Sequence, residues 1–158
     1  MKKQRGDLAL GTALLLLFLA QDFLHLKMAW FETLQAQKNY RIFSGIVVLG
    51  FIGFQWYLSL LRIRGRTRAA VKHYELHKRV GVWAPLIFYI HATGFGFAYL
   101  YFLSAIYFGN TVIGLFNPEA LHIRQKPFTF SWMVVHVTFS VLLVFLAAYH
   151  LWIVAIYH

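Results

Sequence analysis

Long apolar runs, separated by short polar breaks, dominate the chain. Four stretches carry about enough apolar residues, roughly 20 in helical form, to cross a bilayer core of roughly 30 Å. They run over residues 8–26, 42–61, 80–108 and 128–157. This pattern predicts an all-α membrane protein, a four-transmembrane-helix bundle forming one domain over residues 1–158. The first run follows "MKKQRGD" as a signal peptide would, but no small-x-small cleavage site follows it, so it reads as a span. Thr12 to Ser44 contains no Pro or Gly, so the first helix is expected to continue into "KMAWFETLQAQK".

The breaks have their own signals. "RIRGRTR" reads as a turn, with Gly65 as the breaker and Thr67 as the cap of the next helix. Pro85 removes one backbone hydrogen bond and should bend the third span. In "NPEALHIRQ", Asn117 as cap and Pro118 at the first helical position predict a short interfacial helix.

Charge adds an orientation. Of fifteen Lys and Arg, ten flank one side if the chain crosses four times: Lys2, Lys3, Arg5, Arg62, Arg64, Arg66, Arg68, Lys72, Lys78 and Arg79. The other side has Lys27, Lys38, Arg41, Arg124 and Lys126. Cytoplasmic loops are enriched in Lys and Arg, so both termini are expected in the cytoplasm of a bacterial membrane. Because these charges flank spans, they read as topology and lipid-headgroup contacts rather than as a nucleic-acid surface. There is no cysteine, which excludes disulfides, cysteine-bound iron–sulfur clusters and covalently attached c-type haem.

The candidate chemistry lies in the histidines. "HKRVGVWAPLIFYIH" spans His77 to His91, and "HVTFSVLLVFLAAYH" spans His136 to His150. Each interval is fourteen residues. In a helix that is about 40° short of four turns and a rise of about 21 Å, so each pair shares a face at two depths. Eight histidines placed at random would give about a third of one pair at a chosen gap. Three occur, and the third, His122 to His136, crosses Pro127 and leaves the helix.

Two histidines facing each other across a porphyrin make a bis-histidine b-type haem site. If the third and fourth spans are antiparallel, depth pairs His77 with His150 and His91 with His136. Lys78, Arg79 and Lys72 are then candidates for the inner propionates, and Arg124 with Lys126 for the outer. His73 is an alternative inner ligand, though its distance to His91 no longer matches the second interval. His25 reads as a membrane-belt residue, and His122 and His158 as interfacial.

With these pairs, the chain resembles the ferric reductase-like transmembrane dihaem b-type cytochromes. "HKRVGVWAPLIFYIH" in particular is similar to the haem helix of the membrane subunit of bacterial methionine sulfoxide reductase systems. The spacing is also similar to that of the cytochrome b of quinol-oxidising complexes and of short four-helix bacterial membrane b-type cytochromes. The resemblance covers roughly residues 79–158 and implies that His77, His91, His136 and His150 are axial ligands of two non-covalent haem b groups. It implies transmembrane electron transfer, as the cytochrome subunit of a larger redox complex. The chain departs from ferric reductases in having four expected spans rather than six, and no flavin or nicotinamide domain. The donor must then be another redox subunit, a soluble protein or a quinol, and quinone is a further candidate cofactor. Two other readings remain: a self-contained quinone-linked or ferric reductase, and a haem-free transporter or assembly subunit.

Overall fold

The computed structural model describes residues 2–26 and 28–157, with side chains from residue 6. Lys27 and His158, and the side chains of Lys2, Lys3 and Arg5, therefore lie outside the described residues. The described chain forms helices only: α1 (Lys2–Phe23), α2 (Ala29–Ala36), α3 (Lys38–Ile63), α4 (Thr67–Gly81), α5 (Ala84–His91), α6 (Tyr99–Leu115) and α7 (Lys126–Tyr157). Three are long and apolar enough to cross a membrane, over Gly6–Phe23, Lys38–Ile63 and Lys126–Tyr157. Their length and composition point to a membrane protein. Tyr99–Leu115 is a shorter apolar helix.

The expected single helix from α1 into residues 27–38 does not form. His25 adopts a left-handed backbone (φ 53°) and stops α1, and α2 begins as a separate short helix. At the other end of α3 the expected breaker is in place. Gly65 takes φ 67°, and the Arg66 N–H reaches back to the Leu61 carbonyl at 2.9 Å. This closure satisfies a carbonyl that the helix end would leave bare, and a left-handed position suits glycine. Thr67 is the first residue of α4 rather than its cap.

Pro85 acts as expected. The helical path breaks at Val82–Trp83, so the two halves of the 77–91 stretch are α4 and α5. The Trp83 N–H bonds three residues back, to Val80 O at 3.1 Å, a tightened turn at the bend.

The largest departure is in residues 80–108, expected as one span. After His91 the chain reverses through residues 92–98 and returns as α6. Gly96 (φ 74°) and Ala98 (φ 52°) supply left-handed backbone, and the Ser104 hydroxyl ties the turn by donating to Phe95 O at 3.0 Å. Phe18 of α1, Phe88 of α5 and Phe108 of α6 then close a core, with Phe18 and Phe108 stacked at 4.5 Å. α6 packs chiefly on α7, where Gly109 lies against the Phe139 ring.

Residues 117–123 form turns rather than the expected interfacial helix. Asn117 still caps locally, its side-chain oxygen accepting from Ala120 N at 3.0 Å. The turn is joined to α4 by Lys78 Nζ and Glu119 Oε2 at 2.8 Å. This contact places the 117–123 turn, and with it the start of α7, at the α4 end of the bundle. α7 therefore starts at the same end as α4 and runs parallel to α4 and α5. The described ends of the chain, Lys2 and Tyr157, fall at opposite ends of the bundle.

Candidate functional site

Two histidines meet at each of two levels, but not in the expected pairs. The His77 and His136 rings have centroids 6.3 Å apart with planes at 89°. The His91 and His150 rings are 6.5 Å apart at 76°. The expected partners, His77 with His150 and His91 with His136, are not brought together. That expectation required antiparallel helices. The reversal at 92–98 inserts α6 between the histidine helices and makes them parallel, so the earlier histidine of one meets the earlier of the other. Along the unbroken α7, fourteen residues set the two levels about 21 Å apart.

His73 takes no part. Its ring packs against Phe54 and Tyr57 of α3, with Nε2 3.3 Å from Phe54 O. His25 and His122 are exposed at left-handed positions.

At the His77–His136 level, Trp132 lies flat against His136, with centroids 5.3 Å apart and planes at 11°. The Trp132 indole is itself held by Ile113 O at 2.8 Å. Gly114 lets α6 approach, since a Cβ there would stand 3.3 Å from His136 Cε1. Both pair members border a cavity of about 550 Å³, which Gln55, Trp56, Arg62 and Arg79 also line. The Nδ1 atoms of His77 and His136, both amide atoms of Gln55 and the Trp56 indole nitrogen are buried without a hydrogen-bond partner in the protein. Buried polar groups are ordinarily satisfied by protein, water or a ligand, so this set makes the cavity a candidate ligand site.

Of the expected propionate cations, Arg79 borders this cavity. Lys78 does too, but it is bonded to Glu75 at 2.9 Å and Glu119 at 2.8 Å. Burial works against its charge, and the Glu119 and Glu75 carboxylates outweigh that and raise its pKa. Arg124 is exposed in the turn before α7, at the His77 end. It cannot serve the His91–His150 level, because the depth inversion that would have put it there does not occur.

At the His91–His150 level, hydroxyls hold the rings. Ser44 Oγ lies 3.1 Å from His91 Nδ1, and the Tyr99 hydroxyl 3.4 Å from His150 Nδ1. The carbonyls that α5 leaves open at its C-terminus are also taken. Gln35 donates to Tyr89 O at 2.9 Å and Tyr40 donates to Ile90 O at 2.8 Å. Sequence reasoning missed Gln35, Tyr40, Ser44 and Gln55. Nothing local marks them, since their partners lie far away in the chain. A polar residue on an otherwise apolar span is the only signal, and it applies to Ser44 and Gln55.

Among the described residues, no three His, Cys, Asp or Glu side chains cluster as a bare metal ion would need. Two imidazoles per level suit instead a group that brings its own equatorial ligands. With metal–nitrogen bonds of about 2.0–2.1 Å, two imidazoles ligating one metal from opposite sides have centroids roughly 6–6.5 Å apart. Both pairs have that separation. The spacing of each pair is compatible with two imidazoles on one metal, and the His77–His136 pair also borders the cavity. No family model, no curated protein and no solved structure matches this chain.

Proposed function

We propose that this chain is a membrane electron-transfer protein that binds two b-type haems, one between His77 and His136 and one between His91 and His150. The observation that carries the reading is the repeated His–His juxtaposition, at one separation and on two levels. Bound haem would supply one-electron chemistry at each level, and two histidines per iron leave no open position for a substrate. The protein's own part is to hold and orient four imidazoles, and to exclude water with the Phe18, Phe88 and Phe108 core. Gln55, Trp56 and Arg79 offer the first-level group polar partners around the 550 Å³ cavity.

The same reading orients the chain. The basic end, with Arg62, Lys78, Arg79 and Arg124, faces the cytoplasm by the positive-inside rule. This puts the His77–His136 level toward the cytoplasm and the His91–His150 level toward the outside. Electrons then pass between a donor on one side and an acceptor on the other, each a partner redox protein or a quinone.

The test is a pyridine haemochrome assay on purified protein made with adequate haem, together with a reduced-minus-oxidised spectrum. Two haems per chain and a b-type spectrum are expected. A value near zero rejects the reading and leaves the haem-free transporter or assembly subunit.

A further inference from the structure

The two levels differ in what holds their rings. At the first, neither Nδ1 has a partner in the protein. At the second, both Nδ1 atoms face hydroxyls. Ser44 is 1% exposed, one of the most deeply buried side chains of the molecule. Its hydroxyl has a single proton and lies 3.3 Å from the Arg41 carbonyl, a group that can only accept. With the proton given to that carbonyl, the oxygen turns a lone pair toward His91. Only an N–H on Nδ1 completes both contacts at once. A neutral imidazole protonated on Nδ1 has its free lone pair on Nε2.

We infer that Ser44 is a positioning residue: it selects the Nδ1–H tautomer of His91 and so frees Nε2 to ligate the group shared with His150. The surroundings serve the same end. The α3 backbone lies against the ring, since a Cβ on Gly45 would stand 3.5 Å from His91 Cε1. Gln35 and Tyr40 hold the carbonyls just before His91. Backbone, ring plane and proton of His91 are thus all set from residues 35–45, on α2 and the start of α3. A hydrogen bond from the second ring nitrogen also makes a ligating imidazole more basic, and loss of such a partner costs about 10–100-fold in affinity. The identity of the ligand rests on the haem reading, whereas the tautomer does not.

The experiment uses the full chain with ¹⁵N-labelled histidine in detergent micelles, with and without haem, and His91→Gln to assign the ring signals. Wild-type haem-free protein should show His91 as a single Nδ1–H tautomer. Ser44→Ala should give a mixture, Ser44→Thr should restore the single form, and helix content should stay unchanged in both. In haem-loaded protein, Ser44→Ala should speed release of one spectral component by about 10–100-fold and leave the other as it was. The inference is overturned if wild-type His91 carries its proton on Nε2, or if Ser44→Ala changes neither tautomer nor release. A chain that binds no haem, yet shows the Nδ1–H form lost in Ser44→Ala, rejects the haem reading and upholds the assignment of Ser44.

Discussion

His77 stands beside His136, with ring centroids 6.3 Å apart. The two residues sit on helices that start from the same end of the bundle, and this parallel arrangement fixes the second pair as well. Counting fourteen residues on, through α4 and α5 in one case and along α7 in the other, leads from His77 to His91 and from His136 to His150, and His91 and His150 meet at 6.5 Å.

The first prediction follows from that pairing. His77→Ala and His136→Ala should each deplete the same redox component, and His91→Ala and His150→Ala the other. On the proposed haem reading each variant removes one ligand of one site and leaves the other intact, so potentiometric titration of the four resolves this. If His77→Ala and His150→Ala instead depleted the same component, helices α4 and α7 would have to be antiparallel.

A second prediction concerns topology. The Lys78–Glu119 bond joins the turn before α7 to α4. Reporter fusions after Arg66 and after Gln125 should therefore report the same side, and a fusion after Tyr157 the opposite side. Opposite results from the Arg66 and Gln125 fusions would remove the α5–α6 reversal and the level assignment with it.

A third tests the α6–α7 contact. A Cβ at Gly109 would stand 2.8 Å from Phe139 Cε1, closer than a packed ring tolerates. Gly109→Leu should cost about 1–3 kcal/mol by overpacking. Gly114→Val should press on the His136 ring, where even a Cβ comes to 3.3 Å of Cε1. Ligand binding at the His77–His136 level should weaken while the other level is retained. Thermal unfolding in detergent reads the first variant, and the ratio of the two redox components the second.

A fourth separates buried from exposed polar contacts. The Tyr107 hydroxyl is buried and donates to Ala84 O at 2.9 Å. Tyr107→Phe should lose about 1 kcal/mol, the usual net value of one such bond. The Lys78–Glu119 pair is half exposed on the Glu119 side, at 53%. Glu119→Gln should therefore cost no more than about 1 kcal/mol, and less at high salt. A larger loss in Glu119→Gln than in Tyr107→Phe would mean that the 117–123 turn depends on the ion pair more than on its own Asn117 cap.

The sequence by itself determined the class of the molecule, because apolar runs of membrane length can be satisfied only as helices. It also determined that His136 and His150 share one face of a single helix, since helical geometry converts an interval directly into angle and depth, whereas His77 and His91 fall on two helices, α4 and α5. The bend at Pro85 and the stop at Gly65 were legible for the same reason: both act on their own backbone. Which histidine meets which was decided only by the tertiary structure. It turns on whether two helices run parallel, and that depended on residues 92–98. Gly94 and Gly96 were visible there, but an unbroken apolar run from 80 to 108 reads as one helix when hydrophobicity is averaged over it. The reversal holds because Ser104 satisfies a turn carbonyl and Phe18 packs against what the turn brings together, partners that lie elsewhere in the chain. Ser44, Gln35 and Tyr40 were hidden in the same way. Each meets its partner across roughly fifty residues, and no local pattern records a contact made only when distant helices pack.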